Sequence, residues 1–222
     1  MNFIEKLSLA FEENANPLLA HPMEKYMKNK FLFLGLKAEK RKLLLKQIWK
    51  ENRNEVTENS RTIVLALYEK DEREFHYCAI EILIKTLKKN YLIEDIILIE
   101  KLLTTHSWWD SVDSIAKNLL GEYLLQFPTE TKKVISRFSN SENIWLNRTA
   151  IIYQLGYKKE TNVDLLFSEC IKHSKSKEFF IQKAIGWALR EYGKTNPNAV
   201  KNFVAQANLY PFSAKEALKS ST

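Results

Sequence analysis

Large aromatic residues open one helix-forming segment after another, at Phe75, Trp108, Trp145 and Phe180, with separations of 33, 37 and 35 residues. A recurrence of this length is what a pair of helices occupies. One pair cannot bury its apolar face alone, so neighbouring pairs must stack. The segments between the markers repeat at helical spacing. "AEKRKLLLKQIWKEN" sets Leu43, Leu44, Ile48 and Trp49 on one side, "REFHYCAIEILIKTLKK" sets Phe75, Cys78, Ala79, Ile82 and Leu83, and "EDIILIEKLL" sets Ile96, Leu98, Ile99 and Leu102. Breaks are short: Asn16-Pro17, Gly35, Phe127-Pro128, Ser139-Asn140, Asn196-Pro197 and Pro211. With 5 Gly and 5 Pro in 222 residues there is little turn chemistry for a β protein. The nearest strand pattern, "FLFLGL", is short.

These features predict an all-α chain, a curved solenoid of HEAT-like antiparallel helix pairs with a concave binding face. Hydrophobic residues make up 45% of the chain, enough for a sizeable core. No run approaches 18 apolar residues, so no membrane span is expected. The N-terminal "MNFIEKLSLAFEEN" lacks the basic start of a signal peptide. Cys78 and Cys170 sit in apolar patterns and read as buried, reduced thiols, which suits a cytoplasmic protein. A net charge of +7 suits a polyanionic partner. The histidines, His21, His76, His106 and His173, lack ligand spacing, so neither metal nor other cofactor is expected.

Three helices carry chemistry. In "HSWWDSVD", with Ser107 as N-cap, Trp108, Val112, Ile115 and Leu119 form a core stripe. Asp110, Ser114 and Lys117 form a solvated one. Trp109 and Asp113 lie a turn apart at the margin, where an indole and a carboxylate face the same space. They could equally be a rim tryptophan and an aspartate paired with a lysine. In "EFFIQKAIGWALREYGKT", Ile181, Ile185, Ala188 and Tyr192 face the core, while Lys183, Trp187, Arg190 and Lys194 form an exposed stripe suited to a sugar–phosphate backbone. Lysine and arginine stems shielding the indole would give the same pattern. "NIWLNRTAIIYQLGY" is apolar nearly all round, with Arg148 in its middle. A guanidinium there needs a partner: a phosphate, Asp113 or Asp110.

The strings "MEKYMKNKFLFLGLK", "EREFHY", "SWWDSVDSIAK", "NIWLNRTAIIYQL", "SKEFFIQKAIGWALREYGKTNP" and "LYPFSAKEALK" resemble the AlkD family of DNA alkylation repair glycosylases over nearly the whole chain. The resemblance implies one HEAT-like glycosylase domain over residues 1–222, acting as a monomer on double-stranded DNA and removing cationic N3- and N7-alkylated purines without flipping the base. It places Asp113, Trp109 and Trp187 at catalytic positions. Arg148, Arg190, Lys183, Lys194, Lys37 and Tyr26 fall on the DNA-binding side. Two positions depart from the relatives: Lys37, where some have a neutral polar residue, and Gly156, where a lysine can stand. The competing expectation is a non-catalytic HEAT-like scaffold for nucleic acid or protein, in which the tryptophans only stack or pack.

Overall fold

The computed structural model describes residues 1–219. Helix takes up 72% of the chain, and no strand occurs among the described residues, as the all-α reading expects. The chain divides into two compact units, Met1–Asn90 and Tyr91–Thr222.

The first unit holds α1 (Phe3–Glu13), α2 (Pro17–Tyr26), α3 (Ala38–Glu51), α4 (Arg53–Glu58), α5 (Ser60–Tyr68) and α6 (Arg73–Thr86). α1 begins with a capping box: the Asn2 side chain accepts from the Glu5 amide while Glu5 accepts from the Asn2 amide. Phe3, Leu7 and Phe11, four apart, are fully buried. In α3 the buried stripe is Arg41, Leu44 and Leu45, and Leu43 is exposed. Ile48 and Trp49 continue that side half-buried, so of the expected stripe only Leu43 turns outward, and Leu45 takes its place. "FLFLGL" makes only an isolated bridge between Leu32 and Glu72. The amides of Leu34, Gly35 and Leu36 donate instead to the buried carboxylate of Glu74, at 3.1, 3.0 and 3.0 Å, which removes the donors a ladder would need.

The second unit holds α7 (Asp95–Thr104), α8 (Trp109–Ile115), α9 (Gly121–Gln126), α10 (Thr131–Ser139), α11 (Ile144–Ile152), α12 (Val163–Lys172), α13 (Phe179–Gly193), α14 (Pro197–Gln206) and α15 (Pro211–Ala217). Between α8 and α9 the chain makes a π turn, Ala116–Leu120. Asn143, Asn162 and Asn196 cap α11, α12 and α14 with their side chains, and prolines open α14 and α15. α11 packs against α8, α10 and α13, and α13 packs against α14 and α15.

The aromatic markers of this unit have a physical meaning. Trp108, Trp145 and Phe180 stand at the starts of α8, α11 and α13. Their ring centroids lie 5.5, 5.1 and 5.0 Å apart, in tilted and edge-on contacts. Three of the four recurring residues thus form one aromatic triangle that ties three helix N-termini together, while Phe75 packs on Phe11 in the first unit. α13 and α15 approach so closely that a Cβ at Gly186 would collide with the Glu216 Cβ, so only glycine fits there. Cys78 and Cys170 are free and buried, and burial pushes both thiols up, Cys78 to about 12. No helix among the described residues is long and apolar enough to cross a membrane.

Candidate functional site

The site is built at the aromatic triangle. The chain leaves α7 through His106, whose φ of 49° lies in the left-handed region and turns the backbone toward α8. Ser107 does not cap α8. Its hydroxyl points backward and donates to the Leu103 carbonyl at 2.6 Å, closing the end of α7. A serine between two helices can serve either one, and here the orphan carbonyl of the first wins. The N-cap is Trp108, extended and without a capping hydrogen bond, since an indole has a donor but no acceptor for the helix amides, and its ring packs on Trp145 and Phe180. Val112, Ile115 and Leu119 are fully buried as the stripe requires. Trp109 opens α8 and is half-buried, with Asp113 one turn later on the same helix. Asp110 is also half-buried, not freely solvated, and its charge is felt at Asp113.

Arg148 finds its partner in Asp113. Its Nε donates to Oδ1 at 2.7 Å and its Nη2 to Oδ2 at 2.8 Å, a two-pronged fork. Its Nη1 donates to the Phe180 carbonyl at 2.5 Å. One guanidinium therefore joins α8, α11 and the start of α13. The Arg148 side chain is 4% exposed and that of Asp113 16%. Each guanidinium nitrogen makes one hydrogen bond within the protein, which uses three of its five N–H donors. Each Asp113 oxygen gives one lone-pair direction to the fork and keeps others on its partly open side. Burial pushes the Asp113 carboxyl up from its ordinary range. The Arg148 hydrogen bonds and charge pull it down, and Asp110 adds a smaller push up.

Trp187 stands on α13, two turns beyond Phe180. It is half-buried and packs on the core formed by α11, α12 and α13, so it is less exposed than its cationic neighbours suggested. Lys183 and Arg190, one turn to either side, converge on a carboxylate that the sequence did not reveal. Glu216 on α15 accepts from Lys183 at 2.7 Å and from Arg190 at 3.3 Å, and also pairs with Lys219. Those hydrogen bonds hold its carboxyl down at about 2, well below the usual range. In "SAKEALK" one glutamate among lysines looks like a solvated face. Only the close α13–α15 approach at Gly186 brings it under the stripe. Lys194 is exposed and pairs with Glu191 at 2.6 Å.

The pattern of the DNA alkylation repair enzymes matches residues 7–220. The chain belongs to the DNA alkylation repair enzyme family. The chain is also similar to a solved structure described as a predicted DNA alkylation repair enzyme from Enterococcus faecalis. That likeness has 36% identity, covers 92% of this chain and 95% of that one, and has a TM-score of 0.85. A second solved structure, smu.31 from Streptococcus mutans UA159, is 18% identical over 82% of this chain and all of that one, with a TM-score of 0.58, and shares the fold. None of the curated proteins matches the chain.

In this DNA alkylation repair enzyme the remaining expected positions fall as follows. Tyr26 ends α2 and is 69% exposed, and Lys37 is the exposed residue before α3. Both belong to the first unit. Gly156 follows α11 with φ at +93°, and the aliphatic end of Lys117 lies over it, 3.4 Å from where a Cβ would stand. The structure thus brings Asp113 and Arg148 into direct contact and gathers Lys183 and Arg190 on Glu216.

Proposed function

We propose that this DNA alkylation repair enzyme is a monofunctional glycosylase of the AlkD kind. It would hydrolyse the N-glycosidic bond of cationic N3- and N7-alkylated purines, such as 3-methyladenine and 7-methylguanine, in double-stranded DNA. The observation that carries this reading is the fork. It fixes the plane and position of the Asp113 carboxylate and leaves its other edge partly open, one helical turn from Trp109.

The chemistry follows from charge. As the C1′–N bond breaks, its electron pair goes to the purine and cancels the positive charge there, so the base leaves neutral and needs no general acid. Positive charge builds on the deoxyribose, giving an oxocarbenium-like state. Asp113 would stabilise that charge and orient a water toward C1′. The water oxygen forms the new bond and its proton passes to Asp113 or solvent, leaving an abasic sugar and a free base. Trp109 and Trp187 would wall the electron-poor sugar with their ring faces, worth roughly 0.5–2 kcal/mol each. Arg148 acts through Asp113 as a positioning residue. Lys183, Arg190 and Lys194 would meet phosphates. Glu216 tethers the first two and fixes where they stand.

The same fork favours a second reading. A buried arginine needs a carboxylate partner whether or not any reaction occurs, so Asp113 also has a purely structural explanation in a non-catalytic DNA-binding scaffold. Incubating the purified protein with methylated duplex DNA and measuring free 7-methylguanine and 3-methyladenine separates the two. The glycosylase reading expects time-dependent release that is lost in Asp113→Asn, and the scaffold expects none from the parent.

A further inference from the structure

The cationic stripe of α13 does not stop at Arg190. Beyond it lies a groove of about 300 Å³ edged by Arg190 and Lys194 of α13, Lys201 of α14 and Lys219 just past α15, over an apolar floor that includes Val200 and Ala217. No acidic side chain lines it. Two acids stand behind the edge: Glu216 pairs with Arg190 and Lys219, and Glu191 pairs with Lys194. Lys201 is exposed and makes no ion pair among the described residues. Four cations against two acids leave a local excess of positive charge.

The shape and chemistry of the lining select the ligand. The groove holds no Asn, Gln, Ser or Thr side chain, and its one guanidinium, Arg190, donates to the carbonyl and carboxylate of Glu216, so the lining favours contacts to phosphate over readout of base edges. Lysines are flexible point charges suited to a backbone that passes over them. Lys194 lies seven residues beyond Trp187, about 10 Å along the helix at 1.5 Å per residue. That corresponds to about three nucleotide steps of one DNA strand at 3.4 Å each.

We infer that Lys194, Lys201 and Lys219 form a phosphate-tracking groove for the DNA strand from about three nucleotides beyond the lesion outward. This rests on the DNA-binding reading of the Trp187 stripe and extends its footprint into α14 and α15. Contacts of this kind set affinity and orientation and leave the rate of the bound complex alone.

The test uses Lys201→Ala and Lys201→Glu, since Lys201 supports no other side chain among the described residues. Binding is measured against salt on two DNAs that carry a non-cleavable lesion analogue. One is a hairpin ending about three base pairs past the lesion, and the other is a duplex reaching about ten base pairs to each side. On the long duplex, Lys201→Ala is expected to flatten the slope of log K against log salt by about 0.9, the value for one lost phosphate contact, and Lys201→Glu to weaken binding further. On the short hairpin both variants should match the parent, as should single-turnover excision at saturating protein. Equal slopes for parent and both variants on the long duplex overturn the groove, and so does equal weakening on both DNAs. A parent that binds neither DNA overturns the DNA-binding reading itself, which the parent alone reveals.

Discussion

Replacing Asp113 with asparagine separates the structural and chemical parts of the fork. The amide keeps the shape and one acceptor. Its NH₂ group must then face one of the two guanidinium nitrogens that now donate to Asp113 at 2.7 and 2.8 Å. One charge-assisted hydrogen bond is lost, worth about 1.5–3 kcal/mol. Breaking a fully buried pair costs about 3–5 kcal/mol. The lower range applies here, because the Asp113 side chain is 16% exposed and Arg148 keeps the Phe180 carbonyl. In a chain of this length 1 kcal/mol moves Tm by about 2–4 °C, so Asp113→Asn should melt roughly 3–12 °C below the parent and stay folded at 25 °C. If the charge stabilises the oxocarbenium-like state, single-turnover excision should slow on the order of 10²-fold or more, the range for loss of a preorganised electrostatic group. DNA affinity should hold or rise, since a negative charge near phosphates is gone. A variant that loses stability as calculated yet excises at the parental rate would refute the chemical role and leave Asp113 as the partner of Arg148 only.

Gly186→Ala should destabilise by about 1–3 kcal/mol in denaturant unfolding, as overpacking does, because the new methyl meets Glu216 and forces α13 and α15 apart. Glu216 is held down at about 2 against an ordinary 4.5. Its pairing therefore contributes stability that is fully present above pH 4.5 and lost as pH falls toward 2, so the parent should lose Tm more steeply than Glu216→Gln over that window. Asp113 has the opposite sign. Its folded value is raised, so acid does not unfold the protein through it, but the charged form is lost earlier, and the acid limb of the single-turnover rate should sit above the ordinary 3.8. Asp110→Asn removes the like charge that contributes to that rise, so the limb should move down with the neutral-pH rate unchanged, and a crippled Asp110→Asn would contradict the assignment of roles on α8.

The fold was legible because helical periodicity and the aromatic recurrence are local signals with one packing solution. The aromatic period marked the helix pairs, but that Trp108, Trp145 and Phe180 touch while Phe75 packs on Phe11 came only from the structure. Local signals failed where two answers were isoenergetic in sequence. In α3 three consecutive leucines left open which of Leu43 and Leu45 joins Leu44 inside, and Ser107 had carbonyls to serve on one side and amides on the other. At the site, sequence demanded a partner for Arg148 and named Asp113 among three, but the choice depends on how α8 and α13 flank α11. The Phe180 carbonyl and Glu216 were invisible, since a backbone acceptor leaves no trace in sequence and Glu216 matters only through contact with a distant helix. Trp187 looked exposed among its lysines and arginine, and its half-burial comes from neighbours that α13 alone does not specify.

In the proposed reaction Asp113 assists the departure of a base that already carries its charge. Single-turnover release of 7-methylguanine from a defined duplex, set beside release from the same duplex carrying a neutral analogue of that base, tests it most directly. Release of the cationic base is expected, with little or none of the neutral one, and loss of the first on Asp113→Asn. Equal release of both bases, or release of the cationic base that Asp113→Asn leaves untouched, would contradict it.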